Sequence, residues 1–235
     1  LPIAAISLRP NTATSEGTRH QRFRIDDNPR AFWTITAGYG FVMVAQIGAL
    51  THAFRLVDGR STTSTAAGVI STIAFSSVVG RFVGTALLRK ITTLQLMIAL
   101  HPLQIAAVTI FAVASQPSWF LLAAALLGAS IGNVVVIVPI LILERFGIDR
   151  YPPIYARSQL IAIIGVAAGP VLVGIQESVT GGYRTPYLSL AAASVIACAL
   201  FATLNTAEHE QLNGRSTPRS RVSLRRVVRA NKVSS

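Results

Sequence analysis

A handful of polar side chains sits inside long uncharged stretches of this 235-residue chain, and each needs a chemical reason to be there. Gln46 and His52 fall in one stretch, Gln95, His101 and Gln104 in another, Asn133 in a third, and Gln159 and Gln176 in a fourth. In hydrocarbon a polar group is costly unless it bonds to another helix or serves a solute or ion. Gln46, His52 and Asn133 are the candidate substrate-binding residues, with interhelical hydrogen bonding as the alternative for each. Asn133 stands near the middle of its stretch beside Gly132, which puts it at the midplane of any membrane the stretch crosses. His101, next to Pro102, suits either proton carriage or a plain hydrogen bond. Arg81 and Arg157 are the charged residues nearest these stretches. A guanidinium stays protonated and forks onto carboxylates. Either arginine therefore suits an anionic substrate, or a cytoplasmic gate with Glu144 or Asp149. For Arg157 the gate, or a side chain snorkelling to the interface, is the preferred reading.

The elements that must position these groups are membrane-spanning helices. Trp119–Leu143 runs for 25 residues without a charge. As a helix it reaches ~37 Å, against ~30 Å for the hydrocarbon core of a bilayer. Four more uncharged runs cover 31–54, 91–114, 158–176 and 187–207, and a further span, 61–88, is rich in Ser, Thr, Gly and Ala and carries only Arg81. Polar turns separate them, the longest being the Glu144–Arg157 segment with its two prolines. Composition agrees: 51% of residues are hydrophobic and 13% charged, about half the ~25% of a soluble domain. The expected fold is an all-α membrane protein of six transmembrane helices. Residues 1–30 read as the end of a preceding helix (LPIAAISL) plus a basic cytoplasmic linker, and residues 208–235 as a disordered basic cytoplasmic tail. The opening octet leads us to expect a piece of a longer protein.

Orientation follows from Lys and Arg. The linker, Arg81/Arg89/Lys90, Arg145/Arg150/Arg157 and the tail hold 18 of the 21 basic residues, leaving Arg55, Arg60 and Arg184 for the opposite side. Six spans put both termini on one side, expected to be the cytoplasm of a cell with this chain in its plasma or inner membrane. The single cysteine, Cys198, excludes an internal disulfide and a thiolate metal site. No GxxxxGK, HExxH or paired carboxylates are present, so no enzyme activity, metal or cofactor is expected. Nucleic-acid binding has no support beyond the basic tail, which suits anionic lipid or simple solvation.

Glycine pairs at helical spacing, Gly80/Gly84, Gly128/Gly132 and Gly165/Gly169, let helix backbones approach closely in lipid. Pro139 and Pro170 lie inside the fourth and fifth spans, where each frees a carbonyl and bends its helix. Bent helices at the midplane bind substrate in secondary transporters; a passive kink is the alternative.

Three stretches resemble the C-terminal six-helix half of the major facilitator superfamily. Gly80-Arg81-Phe82-Val83-Gly84 through Arg89-Lys90 is similar to its GRxxGxxLxDR loop between helices eight and nine. Glu144-Arg145-Phe146-Gly147 matches the connection into helix eleven, and Gly169-Pro170-Val171-Leu172-Val173-Gly174 followed by Thr180-Gly181-Gly182-Tyr183 looks like GPxLxG…TGxY. The flavour is that of monocarboxylate or oxalate/formate-type members, including HxxRLVDGRS with His52, Arg55 and Asp58. The resemblance implies two inverted three-helix repeats and transport of a small organic solute by alternating access, with a carboxylate as one candidate class and a proton as a candidate coupling ion. It implies a partner too, the first six-helix half. Gating would fall to Gly80, Arg81, Gly84, Arg89, Glu144 and Arg157, and helix kinking and packing to Pro139, Gly165, Gly169, Pro170 and Gly174. Two departures stand out: Arg89 replaces the motif's Asp, and Ser178 stands where an acidic residue is usual, with Glu177 adjacent. Rival readings are a truncated remnant that inserts without transporting, and a membrane-anchored interaction protein that uses its basic tail.

Overall fold

The computed structural model describes residues 29–216, with side chains to residue 204. The expected segment 1–28 and the tail beyond residue 216 lie outside the described residues. Six α-helices follow one another: α1 Pro29–Asp58, α2 Thr63–Leu87, α3 Thr93–Val113, α4 Pro117–Phe146, α5 Tyr151–Thr180 and α6 Arg184–Ser216. Each contains a stretch long and apolar enough to cross a membrane, in α6 over Arg184–Leu204, which is the make-up of a multi-pass membrane protein. Turns of three to five residues join them.

Helix ends are set by local chemistry. Thr92 caps α3: its Oγ1 accepts from the Gln95 amide at 3.2 Å while Gln95 Oε1 accepts from the Thr92 amide at 3.1 Å. This reciprocal box satisfies two amides that a helix start leaves open. Gln95 is thus a capping residue, not the intramembrane polar group expected from its place in the apolar run. The 144–157 segment also differs from expectation. α4 continues through Glu144 to Phe146, Gly147 stops it with φ 74°, and α5 begins at Tyr151, so the turn is only residues 147–150. Pro152 and Pro153 sit in the first turn of α5, where the missing N–H groups have no helical partner to lose. Glu144 and Arg157 are therefore helical residues, not loop residues.

The helices pack in a recurring pattern. The two most extensive pairings are α2 with α4 and α1 with α5; next come α3 with α6, α3 with α4, and α1 with α6. Exchanging α1 with α4, α2 with α5 and α3 with α6 carries this set onto itself. Small residues allow the two main seams. A Cβ on Gly80 would lie 2.8 Å from the Ala129 backbone, and one on Gly128 or Gly132 would overlap the carbonyls of Ile73 or Ser77. Across the other seam, a Cβ on Gly165 would lie 2.5 Å from Gly40 O, and one on Gly169 2.5 Å from Val44 O. Backbone meets backbone along both lines, and no hydrophobic force is needed to hold them in lipid. α2 and α5 bury least of themselves and present Phe75, Phe82, Leu160, Ile164 and Val179 outward.

Candidate functional site

Polar side chains at the bundle centre come from four helices. Gln46 of α1 donates from Nε2 to Gln104 Oε1 (2.9 Å) and lies 3.3 Å from Ser130 Oγ. Ser130 Oγ of α4 donates to the same Gln104 oxygen at 3.2 Å. Gln104 Nε2 of α3 donates to Ser194 Oγ of α6 at 2.9 Å, and Ser194 donates to Leu190 O at 2.9 Å. All four residues are buried. The knot joins one pair of helices from each half of the recurring pattern. Gln46, a candidate substrate ligand, has its amide nitrogen engaged by protein here.

Asn133 and Arg81 meet across the α2–α4 seam. Asn133 Nδ2 donates to Gly80 O (2.9 Å) and to Ala129 O (2.8 Å); Arg81 Nε donates to Gly132 O at 3.2 Å. Each helix thus sends one side chain to the carbonyl preceding the other's polar residue. Gly84 makes room for the Asn133 amide, which a Cβ there would overlap. Arg81 is exposed on α2, so its guanidinium remains open to a neighbour outside the bundle.

His52 sits nearer the opposite end of α1, apart from Asn133 and Arg81. Its Nε2 lies 3.2 Å from Pro170 O of α5, so the proton belongs on Nε2 and Nδ1 is the acceptor. Nδ1 is buried without a hydrogen-bond partner among the described residues, as is the Tyr183 hydroxyl, whose ring centroid is 5.8 Å away. Tyr183 lies in the turn before α6. Burial pushes its phenol above the ordinary range, opposed by Arg55 and assisted by Glu177. Gly174 faces His52 with space to spare, since a Cβ there would sit 3.9 Å from the imidazole. The structure therefore distributes Gln46, His52 and the Asn133–Arg81 pair over three places.

The remaining sequence candidates fall as follows. Glu144 accepts from Thr93 Oγ1 at 2.7 Å, which ties the end of α4 to the start of α3. Arg157 and Arg89 are exposed near the same end of the bundle. Pro139 and Pro170 are both inside their helices. His101 is buried, with Nδ1 on Met97 O (2.7 Å), its ring 5.3 Å from Phe201 and Nε2 unpartnered among the described residues.

Three polar features were not foreseen. Arg60 Nη1 donates to Phe111 O and Ala112 O, both at 3.1 Å, and to Ala114 O at 3.4 Å, closing the end of α3. A cation there also offsets the negative end of the helix. Tyr187, fully buried, donates to Ala49 O at 2.7 Å. Thr36 and Ser158 share a buried 3.0 Å bond between α1 and α5. Only Arg60 left a trace in the sequence, as one of three basic residues outside the main basic set. Among the described residues no cluster of His, Cys, Asp or Glu could hold a metal. No family model matches the chain, and no curated protein matches it.

Proposed function

We propose that this chain is the C-terminal six-helix half of a secondary transporter of the major facilitator type, moving a small organic solute by alternating access. The single observation that carries the reading is the recurrence of helix pairings under exchange of α1–α3 with α4–α6. Three spans are an odd number, so the second triplet enters the membrane from the opposite side; inverted three-helix repeats follow. Their two glycine-lined seams support the reading as well, because backbones in contact without interlocking side chains can rock or slide.

In this reading the open α2 and α5 surfaces turn toward a second six-helix half, and the solute binds between the halves near the midplane. Arg81 draws a carboxylate: its Nε is held on Gly132 O, which orients the guanidinium, and the terminal nitrogens make the bidentate contact. Asn133 positions Arg81 by holding the adjacent α2 carbonyl. In this reading His52, anchored on Pro170 O and with Nδ1 unpartnered among the described residues, carries the coupling proton. Both chain ends lie in the cytoplasm, on the side of the arginine-rich turns.

The test is uptake of labelled monocarboxylates and dicarboxylates into vesicles containing the full-length gene product. Saturable uptake that falls at least tenfold in Arg81→Ala, and is only partly restored by Arg81→Lys, supports the assignment. Uptake unchanged in both variants removes Arg81 from the site. No uptake of any solute, from correctly folded protein, removes transport.

A further inference from the structure

The connection between α2 and α3 is five residues long, yet the two helices make almost no contact with each other. Each packs on α4 instead. A crevice of about 290 Å³ opens between them, walled by Phe75, Val83 and Leu87 of α2 and by Leu96 of α3, with alanines of α4 and the Asn133 side chain as its floor. The related pair, α5 and α6, does pack together.

Its dimensions fit one kind of occupant. From Phe75 at the midpoint of α2 to Leu87 at its end is ~18 Å along the axis, close to the ~15 Å depth of one bilayer leaflet. A helix segment ~10 Å across and ~18 Å long occupies on the order of 1,400 Å³, several times the crevice, whereas a single extended hydrocarbon chain is slender enough to lie in it. The lining is predominantly apolar and suits hydrocarbon better than water, which needs several polar partners. At the Leu87–Leu96 mouth stand Arg89 and Lys90, both exposed and both in the turn that joins the two helices. Of the acids at that end among the described residues, Glu144 accepts from Thr93 Oγ1, and Asp149 is exposed in the turn before α5.

From these observations we infer a binding site for one anionic glycerophospholipid, its acyl chain in the α2–α3 crevice and its phosphate on Arg89 and Lys90. The inference rests on the six-span architecture and stands whether or not the chain transports a carboxylate. Basic pairs at a helix-end mouth recognise lipid headgroups through the charge itself, at about fivefold in affinity per basic residue and roughly 30-fold for two. The arginine at position 89, where the resembling loop motif carries an acid, thereby acquires a use.

The experiment is native mass spectrometry of the whole chain, delipidated in mild detergent and titrated with phosphatidylglycerol or phosphatidylcholine of equal chain length. The expected result is one tightly retained phosphatidylglycerol, held at least tenfold better than phosphatidylcholine. Arg89→Gln with Lys90→Gln should erase that preference, while Val83→Trp, which fills the crevice from an exposed position, should weaken both lipids. Thermal melts of the variants establish that they are folded. Equal binding of the two lipids by the native chain overturns the inference, as does unchanged selectivity in the double variant. So does unchanged retention in Val83→Trp, which would place the lipid elsewhere, or photo-crosslinking from Val83 to a protein segment.

Discussion

Replacing Gly165 by alanine tests the seam between α1 and α5 at one of its two tightest points. The new methyl would lie 2.5 Å from Gly40 O, 3.2 Å from Met43 Cβ and 3.3 Å from the Gly40 carbonyl carbon. The first and third of these are backbone, so no rotamer change relieves them. Restoring ordinary contact at 3.4 Å requires the helices to part by roughly 0.9 Å, and a gap of that order forfeits a quarter to a half of each neighbouring dispersion contact. Overpacking of this kind costs about 1–3 kcal/mol, which lowers the melting temperature by roughly 2–12 °C in a chain of this size. Gly174→Ala is the matched control on the same helix, its methyl meeting nothing closer than 3.9 Å. Thermal unfolding of both variants in detergent measures the difference. If Gly165→Ala melts with the native protein, or Gly174→Ala falls as far, the close-approach reasoning is refuted.

The central knot should show coupling: in a double-mutant cycle, Gln46→Leu and Gln104→Leu together should cost less than the sum of the single changes by about 0.6–1.7 kcal/mol. Additive effects would mean that the amides do not hold each other. Arg60→Gln should destabilise the chain by about 1 kcal/mol, because a half-exposed cation bonded to three carbonyls is worth less than a buried one, and hydrogen exchange should rise at the amides of the last turn of α3. Exchange unchanged there would remove the capping role. Tyr187→Phe leaves Ala49 O without the phenolic donor and should cost about 0.5–1.5 kcal/mol in the same melting assay; a neutral result would mean that the bond contributes nothing net.

The six helices were legible because lipid imposes a crude and strong demand, about 20 apolar residues at a time, and no run of comparable length occurs elsewhere in the chain. Boundaries were less so. The Thr92–Gln95 box was written in the sequence, but an apolar background made Gln95 look like a membrane-embedded amide. The prolines at 152 and 153 looked like loop residues, although the first turn of a helix accepts them equally well. Polar pairing was not legible at all. Gln46 and Gln104 are 58 residues apart, and Gln104 and Ser194 are 90, and nothing local says which buried amide finds which partner. Arg60 shows the same gap, since its carbonyl partners lie more than 50 residues ahead. Spacing picked out the glycines at 80, 84, 128, 132, 165 and 169, but the opposing residues that make each one necessary appear only in three dimensions.

Six alternating passages through the bilayer underlie both proposals, and site-directed labelling addresses them directly. With Cys198→Ala as background, single cysteines introduced as Asp58→Cys, Ser115→Cys, Gly182→Cys, Lys90→Cys and Asp149→Cys would be treated on intact cells with a membrane-impermeant maleimide. Positions 58, 115 and 182 should react, while 90 and 149 should react only after the membrane is opened. Reaction of two consecutive turns from the same side would contradict the architecture on which both proposals stand.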